Sequence, residues 1–374
     1  MKTPNLLKLL TSITLASLPA SAISAETVRV YLGTGDKGIY TSLLDQESGS
    51  LSEPTLAAKI QGSGFLAIHP NKKHLYTTGH KEKGTGLVLS YSIAADGSLR
   101  ETSAQPIQGK RLCHVSLDHT SHTLMAANYS QGNVVSLPVK NDGSLGKLTS
   151  FHQHTGSSSH PQRQTKPHAH SIYSGPDNRF AYAPDLGIDK VMIYRLDPKS
   201  AKLTPAGYAT SPSGAGPRHM KFGKDGKYAY VLNELSVSIS VYERNKKTGQ
   251  LTAKQLIDTL PQGMGKKEMS CSEIRISRDG KFAYCANRDL TEAKRDSVSA
   301  FSIGKDGTLT HLQTIHAEVW IPRNINIDPS GKWLLVAGQR SNNVPVFKIN
   351  PQSGKLSFTG NKIDLPAPMC IEFK

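Results

Sequence analysis

The chain has 374 residues and a formal net charge of +16, with 45 lysine and arginine residues against 29 aspartate and glutamate residues. No cluster of basic residues is interleaved with aromatic residues, so the sequence predicts no nucleic-acid partner, whereas a basic surface favours an anionic small molecule. Hydrophobic residues make up 37% of the chain, a modest share that suits a fold whose apolar side chains are spread between several small sheets.

Residues 1–25 have the pattern of a secretory signal peptide. Two lysines supply a positive start, residues 9–18 form a short apolar run, and a series of small residues ending at Ala25 offers a cleavage site. An apolar run of this length is too short to span a bilayer. We therefore predict export to the periplasm, with no membrane attachment after cleavage and with residues 26–374 as one mature domain.

A G-x-G-x-x-G pattern occupies residues 33–38, directly after a predicted strand. In a dinucleotide site this pattern opens a helix whose N-terminus holds the pyrophosphate. Residues 39–45 have the pattern of a further strand instead, so the sequence predicts no dinucleotide cofactor.

One structural unit is repeated along most of the chain. It consists of a short strand, a tight turn and a second strand that usually contains an aromatic residue. The unit recurs roughly every 50 residues, at residues 65–79, 113–128, 170–185, 218–233, 272–287 and 323–338. Two more predicted strands follow each unit, and four short strands per repeat are typical of a β-propeller. Because no long apolar pattern with a period of 3.6 follows the signal peptide, helices should be nearly absent.

The two ends of the chain supply one further blade. Residues 28–59 contain three strand patterns but lack the first strand of the repeat, while residues 368–373 resemble only that first strand. Joining the two ends leaves no free sheet edge. The predicted fold is therefore all-β: a seven-bladed β-propeller whose ring is closed by a C-terminal strand that joins the N-terminal blade.

The repeat that begins at Arg218 carries the densest set of reactive side chains. Its two strands are joined by a tight turn at residues 224–227, which brings the start of the first strand beside the end of the second. The side chains that meet there are those of Arg218, His219, Asn233 and Glu234.

Aligning the repeats places two sets of polar side chains at the open ends of the hairpins, which all face one side of the ring near its central channel. The first set is His170, Arg218, Ser272 and Arg323, and the second is His80, Glu234, Arg288 and Gln339. Charged groups gathered at a channel mouth indicate a ligand site. The opposite face consists of Asp-Gly-Lys turns, and we predict no chemistry there. In the alternative interpretation, Arg218, Glu234, Glu273 and Arg288 only pair with one another and tie the blades together.

A polar insertion at residues 156–166 precedes His168 and His170, and we predict that this loop partly covers the channel mouth. On a strand, His168 and His170 would point the same way and could share a metal ion. No third ligand lies at a fixed spacing from them. We therefore predict no metal site.

The four cysteines are Cys113, Cys271, Cys285 and Cys370, and none forms a C-x-x-C motif. Cys271 and Cys285 fall on adjacent predicted strands, so the sequence leaves open whether a disulfide joins them. All four occupy predicted strand positions, which favours small buried apolar side chains.

Several short motifs carry a resemblance to a known family. They are Pro-His-Ala-His at 167–170, Gly-Pro-Arg-His at 216–219, Asn-Glu at 233–234, Ser-Glu-Ile at 272–274, Asn-Arg at 287–288, Arg323, and Gly-Gln at 338–339. The chain resembles, over residues 28–374, the seven-bladed lactonases, which include propeller-type 6-phosphogluconolactonases and fungal 3-carboxy-cis,cis-muconate lactonising enzymes. The resemblance implies that the pocket is lined by the catalytic residues His170, Arg218, Glu234 and Arg288. The candidate substrate-binding residues are His168, His219, Asn233, Glu273, Arg323 and Gln339.

The first functional hypothesis is hydrolysis of a sugar-type, anionic lactone by a monomer, with water as nucleophile and no metal or cofactor. Glu234 or His170 would take the proton from the attacking water. Arg218 and Arg288 would hold the anionic group or the developing oxyanion.

Two alternatives remain open. One is a cycloisomerase of the 3-carboxy-cis,cis-muconate type, which would use the same side chains. The other is an exported propeller that binds a ligand such as a sugar acid, or a protein, without catalysis. An ion pair that locks Arg218 to Glu234, with no open pocket beside it, would support this last hypothesis.

Overall fold

The computed structural model describes residues 26–80, 85–109 and 112–374. Within these ranges every regular element is a β-strand, and 28 strands form seven four-stranded antiparallel sheets. The predicted signal peptide, residues 1–25, lies outside the described residues. In the described part of the chain, no helix is long and apolar enough to cross a membrane.

In chain order the strands are β1 (Thr27–Gly33), β2 (Ile39–Asp45), β3 (Thr55–Ala58), β4 (Leu66–Ile68), β5 (His74–Gly79), β6 (Gly86–Ile93), β7 (Leu99–Ile107), β8 (His114–Leu117), β9 (Thr123–Asn128), β10 (Asn133–Pro138), β11 (Ser150–Gln153), β12 (Tyr173–Ser174), β13 (Phe180–Asp185), β14 (Lys190–Asp197), β15 (Lys202–Thr210), β16 (Pro217–Phe222), β17 (Tyr228–Asn233), β18 (Ser238–Arg244), β19 (Leu251–Asp258), β20 (Met269–Ile276), β21 (Phe282–Asp289), β22 (Ser297–Ile303), β23 (Leu309–His316), β24 (Pro322–Ile327), β25 (Trp333–Gly338), β26 (Asn343–Ile349), β27 (Leu356–Asp364) and β28 (Cys370–Phe373).

Each sheet is one blade, and its first strand lies beside the central channel. Neighbouring inner strands contact each other around this channel, for example β28 with β4, β4 with β8 and β20 with β24. Six blades use four consecutive strands each, whereas the closing blade has the order β28, β1, β2, β3. In that blade Cys370 lies opposite Gly33, and Phe373 lies opposite Val30. The predicted seven-bladed propeller and its closure by the C-terminal strand are confirmed.

The repeated aromatic residue of the second strand joins neighbouring blades. In five blades it is a buried tyrosine whose hydroxyl donates a hydrogen bond of 2.9–3.1 Å to a glycine carbonyl in an outer turn of the next blade. The pairs are Tyr31 with Gly97, Tyr76 with Gly143, Tyr182 with Gly249, Tyr230 with Gly307, and Tyr284 with Gly354. These glycines have positive φ, as the tight turns require. Each such hydrogen bond contributes about 0.5–1.5 kcal/mol net, so the same residue type links five of the seven blades to the next one.

All four cysteines are free thiols. Cys271 on β20 and Cys285 on β21 each lie opposite another residue, so no disulfide joins them. Cys271, Cys285 and Cys370 are buried as predicted. Cys113 differs: it precedes β8 instead of lying within it, and it is partly exposed at the channel mouth.

Candidate active site

A cavity of about 440 Å³ opens at the channel mouth on the face that carries the open ends of the hairpins. Its lining residues are Gly64, Leu112, Cys113, Tyr129, Ser130, Arg163, His170, Glu234, Ser270, Arg288, Leu290, Arg323 and Met369. Four residues that the sequence predicted for the site, His170, Glu234, Arg288 and Arg323, are thus brought together. They come from four different blades, so the ring itself assembles the cavity.

Irregular strand pairing positions the basic side chains. The register of β16 against β17 shifts at Arg218, and that of β24 against β25 shifts at Arg323. A third shift falls at Ser272 and Glu273 in β20. A bulge of this kind bends the strand and re-aims a side chain, and bulges are common beside active sites. Equivalent irregularities in three successive blades therefore shape the channel mouth.

Glu234 is the centre of the polar network in the cavity. Its Oε1 accepts a hydrogen bond of 2.7 Å from the guanidinium of Arg163. Its Oε2 lies 2.9 Å from Nε of Arg218 and 3.3 Å from a terminal nitrogen of Arg288. Burial alone would raise the pKa of Glu234, but the charges of Arg288 and Arg218 outweigh it and hold that pKa well below its ordinary value. Glu234 is therefore an ionised carboxylate whose two oxygens are both engaged.

Arg323 has no partner in the described part of the chain, where it forms neither an ion pair nor a hydrogen bond. Burial, together with the charges of Arg218 and Arg288, lowers the pKa of Arg323 to about 9. The Nε atom of Arg288 is also buried without a hydrogen-bond partner. Since Glu234 is the only acidic residue among the lining residues, the cavity has unused guanidinium donors and an excess of positive charge.

His170 faces the same carboxylate as a neutral imidazole. Its Nε2 lies 3.8 Å from Oε2 of Glu234, and its Nδ1 is buried without a hydrogen-bond partner. Burial, and then the charges of Arg218 and His219, lower the pKa of His170 well below its ordinary value. A neutral imidazole with a free ring nitrogen can accept a proton from a bound water.

The loop of residues 156–166 lies at the channel mouth, as predicted, and reaches the cavity through Arg163. The loop is fixed by Gln164, whose side-chain amide donates a hydrogen bond of 2.7 Å to Asp189. Arg163 binds Glu234 from the solvent side. Arg163 is not among the site residues predicted from the sequence, although it is the one arginine in the insertion predicted to cover the mouth.

Replacing Gly187 with alanine should displace this loop. A Cβ atom at residue 187 would lie 1.9 Å from the carbonyl oxygen of Lys166 and 2.8 Å from the backbone nitrogen of His168. Because neither atom can rotate away, we expect a loss of about 1–3 kcal/mol in the free energy of unfolding and faster proteolysis within residues 156–166. Thermal unfolding and limited proteolysis measure both effects. Gly265→Ala is the control, since a Cβ there meets no atom within 4 Å; equal behaviour of the two variants would contradict the expectation.

Arg218 lies behind the cavity wall and does not line it. Its side chain is 2% exposed. Its Nε binds Glu234, and a terminal nitrogen donates to the carbonyl of Ser272. The expectation that Arg218 itself faces the pocket is therefore wrong: it acts on the cavity through the carboxylate that it holds.

His219 and Glu273 form a layer below the cavity instead of lining it. Nδ1 of His219 lies 3.0 Å from Oε2 of Glu273, which also accepts a hydrogen bond of 2.7 Å from Asn324. The other oxygen of Glu273 lies 2.8 Å from the guanidinium of Arg275. Glu273 is fully buried and has three partners. Its position therefore favours a structural role over direct contact with the substrate.

Asn233 also lies outside the cavity, because its amide is used within its own blade. It donates hydrogen bonds of 3.0 and 2.9 Å to the hydroxyls of Ser238 and Ser240. Asn287 occupies the equivalent position in the next blade and donates to two serines in the same way. The repetition of this arrangement favours a structural role for Asn233.

His168 and Gln339 lie next to the cavity. Nδ1 of His168 is 2.8 Å from the carbonyl oxygen of Tyr129, and the two rings stack at 4.4 Å. His168 thereby orients Tyr129, which does line the cavity and was not predicted. Gln339 lines an adjoining cavity of about 400 Å³ that shares Gly64 and Met369 with the first.

Cys113, Ser130 and Ser270 are lining residues with a thiol or an aliphatic hydroxyl. Burial raises the pKa of the Cys113 thiol to about 11, so it is protonated and weakly nucleophilic at neutral pH. The hydroxyl of Ser270 has no hydrogen-bond partner and therefore no adjacent base. Among the described residues, no group of three or more His, Cys, Asp or Glu side chains is arranged to hold a metal ion. The arrangement favours water as the nucleophile.

Comparison with known proteins places the chain in a family. A family model described as lactonase, 7-bladed beta-propeller, matches residues 29–373. The chain belongs to this family. It is 35% identical to a 6-phosphogluconolactonase of Bacillus subtilis (strain 168) over 349 residues, which are 92% of this chain and 97% of the relative. A 6-phosphogluconolactonase of Serratia proteamaculans (strain 568) is 32% identical over 78% of this chain and 82% of its own.

A solved structure agrees with these relatives. The periplasmic gluconolactonase of Pseudomonas aeruginosa superposes with a TM-score of 0.86 at 30% identity, covering 93% of this chain and 99% of that one. Family membership over nearly the whole chain makes the protein a lactone hydrolase. The cavity around Glu234 is the candidate site of that reaction.

Proposed function

We propose that this lactonase hydrolyses a sugar-type lactone that carries or develops negative charge, in the cavity around Glu234. The observation that carries the proposal is Arg323, a half-buried arginine without a partner in the described part of the chain, which lines the cavity together with Arg288 and the neutral His170. A planar guanidinium suits a carboxylate, a phosphate or an oxyanion. The relatives are named for 6-phosphogluconolactone and the Pseudomonas protein for gluconolactone, and both are lactones of a sugar acid.

His170 is the proposed general base, in preference to Glu234. Both oxygens of Glu234 already accept hydrogen bonds from arginines, so its carboxylate is committed to those partners. His170 is neutral and has a free ring nitrogen. Glu234 instead offsets part of the arginine charge and keeps the arginines in place.

The reaction then needs no group beyond the chain and water. His170 takes a proton as the water oxygen attacks the lactone carbonyl, and the negative charge that develops on the carbonyl oxygen is stabilised by Arg288 and Arg323. When the bond between the carbonyl carbon and the ring oxygen breaks, His170 returns its proton to that oxygen. The product is a hydroxy acid, which loses a proton to solvent.

The ion pair between Arg218 and Glu234 would also be compatible with a propeller that binds without catalysis. Two features favour the hydrolase. The cavity beside the ion pair is open, at about 440 Å³, and Arg323 and His170 both retain unused polar groups. If these side chains only tied the blades together, their donors and acceptors would be expected to be paired with one another.

Arg323→Met should separate catalysis from folding. Methionine keeps much of the side-chain volume and removes the charge, and we expect kcat/KM to fall by about 10² to 10³-fold, the usual loss for one oxyanion donor. Turnover of glucono-lactone and of 6-phosphogluconolactone is followed by acid release, above the spontaneous rate.

Arg340→Met is the matched control, since Arg340 is an exposed arginine on the same face that stacks on Trp320. It should keep the wild-type rate. Wild-type protein that accelerates neither lactone would overturn the proposed substrate class, and an unchanged rate in Arg323→Met would overturn the role of Arg323. Loss of a carboxymuconate absorbance on adding the enzyme would favour the cycloisomerase instead.

We further propose that the enzyme works after export, with residues 1–25 removed. The composition of this segment supports export, and the similar Pseudomonas protein is named as periplasmic. In that compartment an unphosphorylated lactone would be the more accessible substrate. N-terminal sequencing of protein recovered from a periplasmic extract should begin near Glu26. A chain that stays in the cytosol and begins at Met1 would contradict this proposal and leave the lactonase site untouched.

A further inference from the structure

A second polar cavity, of about 310 Å³, lies at the other mouth of the channel, on the face of tight turns where the sequence predicted no chemistry. Its walls are the lower parts of the inner strands, and among its lining residues are His114, Tyr173, Lys221, Arg275 and Glu372. We propose that this lower cavity binds a small oxyanion, of the size of phosphate or acetate, held by Lys221 with Arg275 and His114. It is a different site from the cavity around Glu234.

Lys221 carries most of this inference. Its ammonium forms no ion pair and no hydrogen bond within the described residues. Its Nζ lies 4.1 Å from the centroid of the Tyr173 ring. Burial, and then the charge of Arg275, lower the pKa of Lys221 to about 8. Lys221 is half-buried, and an ammonium in this position without an ion pair or hydrogen bond would be stabilised by a bound anion.

Arg275 extends from the same wall and uses only part of its guanidinium. Its Nε donates to Asn326 over 3.0 Å, and one terminal nitrogen lies 2.8 Å from Glu273. The other terminal nitrogen lies 3.8 Å from Glu372, beyond hydrogen-bond distance. That nitrogen remains available to a ligand in the cavity.

His114 adds a neutral donor. Its Nδ1 accepts a hydrogen bond of 3.4 Å from the backbone N–H of Ile172, so the ring proton belongs on Nε2. Nε2 is buried without a partner. Burial, and then the charges of His219 and Lys221, lower the pKa of His114 well below its ordinary value and keep the ring neutral.

The acidic groups nearby do not cancel these donors. Glu273 is engaged by His219, Asn324 and Arg275. Burial raises the pKa of Glu372 to about 7, so it is only partly ionised at neutral pH. Asp118 also lines the cavity, and its oxygens already accept hydrogen bonds from Thr120, Thr123 and Asn178. The cavity therefore has more unused donors than unused acceptors, which favours an oxyanion over a cation or an apolar ligand.

An aromatic layer separates the two cavities. The ring of Phe65 lies 4.3 Å from that of His114 and 5.6 Å from that of His219, measured between ring centroids. His114 and His219 are themselves 5.5 Å apart. These rings crowd the channel, so a ligand at one mouth does not share its contacts with a ligand at the other.

Protection of Lys221 from an amine-acylating reagent tests the inference on the full wild-type chain. Labelling at each lysine is read by peptide mass spectrometry, with inorganic phosphate or acetate added at constant ionic strength. The rate of labelling at Lys221 should fall by the factor 1 + [L]/Kd, where [L] is the concentration of the anion. It should therefore fall to about a tenth when the anion is present at ten times its Kd. Lys332, an exposed turn lysine on the same face, should be labelled equally throughout. The anion that protects at the lower concentration identifies the source as a phosphate or a carboxylate.

Calorimetric titration of variants gives the second measurement. The anion used is the one that protects Lys221 at the lower concentration. Lys221→Met should lose one binding event for this anion and retain lactone hydrolysis, whereas Lys332→Met should lose neither. Arg323→Met weakens anion binding in the upper cavity, so a binding event whose affinity is the same in this variant and in the wild type belongs to the lower cavity. Labelling of Lys221 that neither anion alters, or that chloride reduces to the same extent, would overturn the inference even if Lys221→Met failed to fold.

Discussion

His170→Gln should lower kcat by about 10² to 10⁴-fold, the usual contribution of a general base, with a much smaller change in KM. Glutamine fills a similar space and can hydrogen-bond to water, but it cannot accept a proton. The binding charge of the cavity comes from Arg288 and Arg323, so substrate affinity should persist. Initial rates on glucono-lactone, corrected for spontaneous hydrolysis, measure the effect.

The pH profile gives this experiment a second readout. Protonated His170 cannot act as base, so activity is lost on the acid side. Because burial and Arg218 hold the pKa of His170 well below its ordinary value, kcat/KM should keep its plateau to below about pH 6.5. A bound anion offsets the arginine charge and should raise that pKa, so the acid limb of kcat should lie at higher pH than that of kcat/KM.

The control is His316→Gln, which changes an exposed histidine on the same face that pairs with Glu318. It should leave both the rate and the pH profile unchanged. A His170→Gln enzyme with wild-type kcat and the same acid limb would remove His170 from the mechanism and return Glu234 to consideration as the base.

The fold could be predicted from the sequence because every blade has the same structural requirements, and each repeat meets them with the same residue types. Each unit needs a tight turn, which selects glycine, and a contact with the next blade, which selects an aromatic residue on the second strand. Tyr230 and Gly307 form one such pair at 3.0 Å. These local demands recur at a fixed spacing and are therefore visible in a single sequence.

The site could be predicted only in part. Equivalent positions in the repeat identified His170, Glu234, Arg288 and Arg323, because the ring brings equivalent positions to one face. The direction of Arg218 was not predictable, since it sits at a register shift in β16 that the sequence does not reveal.

Arg163 and Tyr129 were missed for a different reason. They lie outside the repeated hairpins, in loops whose placement depends on tertiary contacts such as that between Gln164 and Asp189. Repeat alignment assigns positions only within the repeat. Side chains that loops contribute to the cavity have no equivalent in the other blades from which to infer their place.

Glu234→Gln should lower the free energy of unfolding more than any other single substitution in the cavity, because it removes the carboxylate that three arginines share. Arg163, Arg218 and Arg288 all lie within 3.3 Å of its carboxylate. Arg218 is nearly fully buried and would be left uncompensated. Breaking a buried ion pair by removing one partner costs about 3–5 kcal/mol, so the midpoint of thermal unfolding should fall. Activity should fall as well, since the arginines would repel one another and lose their positions.

The pH dependence of this loss has a definite sign. The pKa of Glu234 is lower in the folded protein than in the unfolded chain, so its stabilisation is fully present above the unfolded value and is lost as the pH falls through the folded value. The difference in stability between wild type and Glu234→Gln should therefore be largest near neutral pH and shrink below about pH 4. Glu243→Gln in the same blade is the control: its exposed pair with Lys227 should contribute about 0–1 kcal/mol. Glu234→Gln protein that unfolds at the wild-type temperature at pH 7 would show that the arginines do not depend on this carboxylate.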